Sequence, residues 1–348
     1  LKLALLAALI ILISMSGCSI GYVARAGWEE SKILWRRKSI SKLIEKEDTP
    51  AELKQKFELV LEAREFAREL GLEPRGSFSS YSTVDDSAVT WVVTAAPQFK
   101  LEPKTWWFPI VGRIPYKGYF GADDAKSYAL NLKSEGYDVH VRGSTAFSTL
   151  GWFDDPLLST TAKLDEVQLV ETVIHELLHN TLWISGDVAF NETLANVVGS
   201  YGALQFFVKK EGVHGPRAVR AREQLTQEVE YSCRLAELIE RLNVIYAGDE
   251  PTVEQKEAAI KEWIASLPPL LSGLKERFSR DPTLINNATI VGEIIYRWKM
   301  SRFIDQLTSL EFDISKLVGE AKADQRKILE KIAGPEYLYL NPNPICRD

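Results

Sequence analysis

Val173-Ile174-His175-Glu176-Leu177-Leu178-His179 is the stretch on which the reading of this 348-residue chain turns. Side chains four residues apart on an α-helix stack on one face, so His175 and His179 stand one turn apart and point the same way. Two imidazoles so placed can chelate one metal ion, and Glu176 between them can reach a water on that metal as general base. Two of the chain's four histidines fall in this stretch. Positions 173, 174, 177, 178 and 180 are uncharged, and Val167, Val170, Ile174 and Leu178 give the segment a buried face. The pattern predicts a helix over about residues 164–182, broken by Gly186 and Asp187. Thr181 departs from it, standing where an apolar residue is usual. The plainer alternative is a helix with two core histidines and a surface glutamate.

A hydrolytic zinc site has three protein ligands and one open position. The third ligand must come from outside the stretch, and residues 179–185 lack the HxxGxxH continuation that would supply another histidine. Glu192 lies thirteen residues after His179, far enough for the helix to end, turn through Ser185-Gly186-Asp187 and return. A second helix over about 191–208 would then carry Glu192 near its start, with Asp187 and His214 as rival ligands. Asn191-Glu192 resembles the Asn-Glu pair of gluzincin zinc peptidases, although their spacing is longer. By that resemblance Asn196, one turn beyond Glu192, falls where some of those enzymes carry an Asp that orients the first histidine, since a ligating imidazole needs a partner for its other nitrogen. The expected cofactor is one Zn2+ per chain. Zinc lowers the pKa of its water toward neutrality, and Glu176 would take the proton and deliver it to the leaving amine. The developing oxyanion needs a further donor, for which Tyr119, Tyr201, His140 and His214 are open choices.

The N-terminus reads as a targeting segment. Lys2 precedes an apolar run over residues 3–13, too short for a comfortable membrane span, and Ser16-Gly17 stand directly before Cys18. This resembles a bacterial lipobox, with Met15 where Leu is commoner. It implies a signal peptide over 1–17, lipid on Cys18 and attachment to the cell envelope on its periplasmic side. Ser19 fits outer-membrane sorting in a cell that has an outer membrane. Arg36-Arg37-Lys38 reads as a solvated helix end rather than a lipid-binding patch. The remaining cysteines, Cys233 and Cys346, are free to pair in an oxidising compartment, though sequence does not place them together.

The chain is 45% hydrophobic with a formal charge of −6, so it can bury a sizeable core and has no basic field for nucleic acid. Helical spacing runs over 28–70, with Pro50 opening a helix that Gly71 closes. Residues 88–96 alternate too little for a solvated strand and read as a buried one. Pro97, Pro103, Pro109 and Pro115 exclude helix from the aromatic stretch between them, where Trp106 and Trp107 could line a pocket or plug a core. A helix over 122–136 leads to period-two alternation from Tyr137 to Gly143. Residues 138–148 are the expected edge strand, where substrate backbone could pair. Residues 216–331 look mainly helical, with breaks at 248–251, 268–269 and 281–282, and a helix from Asn286-Asn287-Ala288 through Phe303. The fold expected is α+β and predominantly α-helical, a zincin-like metal helix beside a small β-sheet. Residues 18–348 form one peptidase domain, with 216–348 a possible helical subdomain.

Several runs resemble a bacterial family known as predicted aminopeptidases, zinc-dependent lipoproteins. They are the lipobox, His175-Glu176-Leu177-Leu178-His179, Trp91-Val92-Val93 with Ala95-Ala96-Pro97, and Pro103-Lys104-Thr105-Trp106. Pro115-Tyr116-Lys117-Gly118-Tyr119-Phe120, the run from Ser148 to Pro156, Phe190-Asn191-Glu192 and Asn286-Asn287-Ala288 complete the likeness. Arg113 departs from it. The resemblance implies exopeptidase action on peptides, which needs carboxylates to hold the substrate ammonium. Asp154, Asp155 and Glu171 are the available ones, with Glu171 one turn before His175 and Asp154-Asp155-Pro156 equally suited to a turn. Two other functions stay open: an envelope endopeptidase, and a zinc-stabilised binding lipoprotein, against which the presence of Glu176 argues.

Overall fold

The structure, a computed structural model, describes residues 28, 31–84, 88–108, 112–144 and 154–323. Cys18 with the whole targeting segment, residues 145–153 and Cys346 lie outside the described residues. In chain order the elements are β1 (Lys38–Ser39), α1 (Ile40–Glu45), α2 (Ala51–Glu69), β2 (Ser80–Ser82), β3 (Thr90–Pro97), β4 (Trp106–Phe108), β5 (Gly112–Ile114) and β6 (Lys117–Tyr119). There follow α3 (Ala122–Ser134), β7 (Tyr137–Ser144), β8 (Leu157–Leu158), α4 (Glu166–Thr181), α5 (Val188–Glu211), α6 (Pro216–Tyr246) and α7 (Val253–Ser266). The last are α8 (Ser272–Arg280), α9 (Asn287–Arg297), α10 (Met300–Ser309) and α11 (Ile314–Ala323). The fold is α+β and predominantly helical, as the pattern predicts.

One local expectation is sharpened and one is corrected. The proline-spaced aromatic stretch, from which the prolines exclude helix, holds three short strands, with β4 paired to β5 and β6 paired to β3. The helix expected to run from Asn286 through Phe303 is two helices. Lys299 takes a left-handed backbone (φ 48°), which a continuous α-helix does not allow, and α10 starts there at a new angle. The break also ends α9 beside the first turns of α5, with consequences for the site.

The central sheet has the order β6-β3-β7, antiparallel throughout, with β7 on an edge. Alternation sorts its side chains. Val93, Ala95, Val139 and Val141 pack under α3, whereas Ala96 and Thr94 face α9, where Gly292 lies against the Thr94 side chain. His140 and Arg142, offset by one from Val139 and Val141, therefore point to the α9 side. The Asn286-Asn287 pair fastens α9 to this sheet. The Asn286 side chain caps α9 through Thr289 N–H. Asn287, fully buried, donates to the carbonyls of Pro97 (2.8 Å) and Gln98 (2.9 Å), accepts from Tyr246 O–H (2.7 Å) and gives its own N–H to Asp138 (2.9 Å). The same Asp138 carboxylate pairs with buried Lys256 at 2.8 Å, so neither charge is left bare.

The largest apolar core surrounds α4 and α5, with α2, α10 and α11 packed around them. A second core gathers α6, α7, α8 and α9 around Leu238, Ile260, Trp263 and Ile290. Val167, Val170, Ile174 and Leu178 are at most 2% exposed, the buried face that the periodicity of α4 predicts. Thr181 also finds its reason. Its hydroxyl donates to Leu177 O (2.7 Å) and accepts from Glu73 N–H (2.8 Å), tying the end of α4 to the loop after α2. Cys233 is buried and disulfide-bonded, with its partner outside the described residues. Among the described residues no helix is long and apolar enough to cross a membrane.

Candidate metal centre

Helix α4 starts at Asp165, whose side chain accepts from Val167 N–H and Gln168 N–H. Its partner α5 is set by the turn between them. Asn191 clamps that turn from both sides, accepting from Ile184 N–H (2.9 Å) and donating to Ile184 O (2.7 Å). Asp187 caps α5 through Phe190 N–H (3.2 Å), and Gly186 supplies the left-handed residue the reversal requires (φ 84°). Asp187 is thus spent as a cap, and His214 lies exposed beyond the far end of α5, which leaves neither as a ligand.

The two helices come close because Gly199, two turns beyond Glu192, faces α4. A Cβ there would stand 3.0 Å from Glu171 O and 3.3 Å from His175 Cβ. The close approach brings three donors together. His175 Nε2 and His179 Nε2 are 3.1 Å apart, and Glu192 Oε2 stands 3.4 Å from the first and 3.6 Å from the second. Donors about 2.0–2.2 Å from one tetrahedral zinc would themselves be about 3.3–3.6 Å apart, so the triangle has the size that ion needs. Three electron-rich atoms directed at one point repel unless a proton or a metal cation sits among them.

The electrostatics agree. Burial alone would push the Glu192 carboxyl up, but the imidazoles of His179 and His175 hold it well below the usual carboxylate range. Burial would lower His175, and Glu192, Glu176 and Glu171 outweigh it and raise that imidazole above its ordinary value. Residues His175, His179 and Glu192 are the cluster of potential metal donors among the described residues. Glu176 is next to them and only half-buried, so its carboxylate stays within reach of water. His179 Nδ1 is buried without a hydrogen-bond partner, as is Trp183 Nε1, whose ring meets the His179 ring edge to face at 5.3 Å. The orientation of His179 therefore comes from ring packing.

The other residues singled out in the sequence are placed elsewhere. Asn196 does not orient a histidine; its amide donates to Tyr296 O (3.1 Å). Glu171 accepts from the Ser200 hydroxyl and lines a cavity of about 620 Å3 together with His140, Glu228 and Glu293. Asp154 accepts from Gly76 N–H (2.9 Å), and the Asp155 backbone accepts from Phe78 N–H (2.7 Å), so both aspartates shape the loop at 75–79. Tyr119 packs against Tyr128 on the α3 face of the sheet, and Tyr201 stacks on the exposed ring of Phe312 at the rim of the main core. Neither phenol is beside the metal donors.

Two phenols that sequence reasoning passed over are there instead. Tyr296, in the last turn of α9, and Tyr116, just before β6, are half-buried and feel the charges of Glu192 and Glu176. Burial, then Glu192, pushes Tyr296 up to about 12, and burial with the same carboxylates pushes Tyr116 well above its ordinary value. Arg142 donates to Tyr296 Oη at 3.0 Å. The end of α9 is held against the first turns of α5, where Thr193 Oγ1 donates to Ile295 O (3.3 Å) and Asn196 to Tyr296 O. These are carbonyls that a helix end leaves without intrahelical partners. The alternation of β7 already put Arg142 on the α9 face; the position of Tyr296 depended on an encounter over more than a hundred residues.

No curated protein and no solved structure matches the chain. Residues 21–327 match the family described as "Putative aminopeptidase", and the chain belongs to it.

Proposed function

We propose that this chain is a zinc-dependent aminopeptidase in which His175, His179 and Glu192 hold the metal and Glu176 is the general base. Family membership supports a peptidase acting on peptides. The observation that carries the finer reading is the donor triangle of 3.1, 3.4 and 3.6 Å with Glu176 beside it. Zinc bound there supplies a Lewis acid and a water acidified toward neutrality. Glu176 receives the proton given up as water adds to the scissile carbonyl and returns it to the departing amine nitrogen. Edge strand β7, whose Val139 carbonyl accepts from the Asn286 amide (3.4 Å), lines a groove of about 790 Å3 whose opposite wall includes Lys256 and Ile260 of α7 and whose lining does not include the proposed metal donors. An extended peptide could pair with that edge.

A purely structural zinc site has four protein ligands and no use for Glu176, so a cluster of three donors supports the catalytic reading over a scaffold. In the purified protein we expect one equivalent of zinc and zinc-dependent cleavage of a peptide with a free amine but not of its acetylated form. Glu176→Gln should keep the zinc and lose about 10²–10⁴-fold in rate. Equal cleavage of both peptides would make the enzyme an endopeptidase; undiminished activity of Glu176→Gln would remove the catalytic reading. The lipobox at Cys18 supports envelope anchoring, and metabolic labelling with a fatty acid should mark the wild type but not Cys18→Ser.

A further inference from the structure

The function proposed above, on which this inference rests, leaves the developing oxyanion without a donor. Arg142 is a half-buried guanidinium on β7 with no carboxylate partner among the described residues. Such a charge is costly to bury without compensation. It is spent on a phenol, donating to Tyr296 Oη at 3.0 Å. A guanidinium only donates, so it occupies an acceptor position of the phenol oxygen and leaves the phenol's own proton unspent. Among the described residues no acceptor takes that proton. The main chain of Tyr296 is fixed to α5 by Asn196, one turn beyond Glu192, and Thr193 fixes the preceding carbonyl. The main chain is thus anchored to α5 and the phenol oxygen to β7, and the phenol feels the charges of Glu192 and Glu176.

We infer that Tyr296 donates a hydrogen bond to the substrate carbonyl oxygen as that oxygen gains negative charge, and that Arg142 is the positioning residue that aims it. A preorganised donor of this kind acts on the transition state more than on the bound substrate. Tyr116 is the competing phenol. Among the described residues it forms no hydrogen bond that would fix its direction, and we give it the lesser part.

The test uses the whole zinc-loaded protein with Tyr296→Phe, Tyr116→Phe, Arg142→Gln and the Tyr296→Phe/Arg142→Gln double variant. Tyr296→Phe should lower kcat about 10²–10³-fold with KM changed little and zinc content unchanged. Arg142→Gln should lower kcat by roughly tenfold, and the double variant should be no slower than Tyr296→Phe, because two residues acting as one unit do not add. Calorimetry supplies a readout independent of turnover. A phosphinic peptide, tetrahedral and anionic at the reacting position, should lose about 100-fold in affinity to Tyr296→Phe, while a planar amide inhibitor loses under about threefold. Wild-type kcat and phosphinate affinity in Tyr296→Phe, or the loss appearing in Tyr116→Phe instead, would overturn the assignment and leave the metal reading intact. Additive losses in the double variant would overturn the positioning role of Arg142. Full activity of Glu176→Gln would remove the catalytic reading itself, so the two failures are distinguishable.

Discussion

The proposed metal donors and the proposed substrate-facing wall are built by opposite strategies. His175, His179 and Glu192 come from two consecutive helices joined by one clamped turn, all within eighteen residues. The facing wall takes Tyr116 from the start of β6, Arg142 from β7 and Tyr296 from the end of α9, three segments with long stretches of chain between them. A metal tolerates little error in donor spacing, and a short helix hairpin delivers that accuracy locally. A donor to a developing charge must instead lie across the cleft from the metal, and only a distant element can reach there. Changes in the hairpin should therefore act on zinc affinity, and changes in the wall should act on kcat at constant zinc.

The largest effect tests the first half of that division. His179→Ala removes one of three donors, and we expect zinc affinity to fall about 10²–10³-fold, roughly a quarter of the ~10–16 kcal/mol typical of a protein zinc site. Competition with a chromophoric chelator measures it; unchanged affinity would exclude His179 as a ligand. The same titration has a pH dependence of known sign. An imidazole must be neutral to coordinate, and that of His175 is raised because Glu192, Glu176 and Glu171 outweigh its burial. Protons therefore compete below the raised value, where affinity should fall by about tenfold per pH unit, and it should level off above it. An affinity that rises as the solution is acidified would contradict the ligand set.

The second prediction moves the wall and spares the hairpin. Asn287 lies more than a hundred residues from β3, yet its buried amide satisfies Pro97 O, Gln98 O and Tyr246 O–H at once. Asn287→Ala leaves these partners bare in the interior, at a cost of about 2–4 kcal/mol, and frees the start of α9 from the sheet. Thermal unfolding should shift down accordingly. We expect kcat to fall by roughly tenfold, through the displacement of Tyr296, while zinc affinity stays within about threefold of wild type. A parallel loss of zinc would mean that the two halves of the site are not separable.

The same division explains what the sequence revealed. The i, i+4 pair of histidines is a local geometric statement, and Glu192 was reachable because a turn of known length separates it from His179. The alternation of β7 was legible for the same reason, although nothing in the sequence singled out Arg142. Tyr119 was a plausible donor in the sequence, but only its pairing with Trp91 shows that it stands on the sheet face that meets α3. Tyr296 gave no local signal at all, since its role depends on the break at Lys299 that ends α9 against α5. Asp154 and Asp155 misled for a related reason. Carboxylates suited to an ammonium are also suited to a turn, and the loop at 75–79, which takes the Asp154 carboxylate and the Asp155 main chain, is distant in sequence.

The smallest effect lies where the helices of the hairpin touch. Gly199→Ala should help α5 by about 1 kcal/mol through helix propensity alone. The new methyl would meet Glu171 O at 3.0 Å and His175 Cβ at 3.3 Å, and a carbonyl inside a buried helix has little room to yield. Such overpacking costs about 1–3 kcal/mol, so the net change should be a modest destabilisation. Its particular mark is on the metal. A separation of a few tenths of an ångström at His175 widens the donor triangle, and zinc affinity should fall about three- to tenfold. Gly202→Ala is the control one turn on, because its methyl would meet the Ile174 side chain at 3.1 Å, which can turn away without moving a donor. If both variants lose stability but only Gly199→Ala loses zinc, the close contact at Gly199 sets the donor spacing. If both lose zinc equally, the spacing is a property of the whole helix pair, and the hairpin is less local than its sequence suggests.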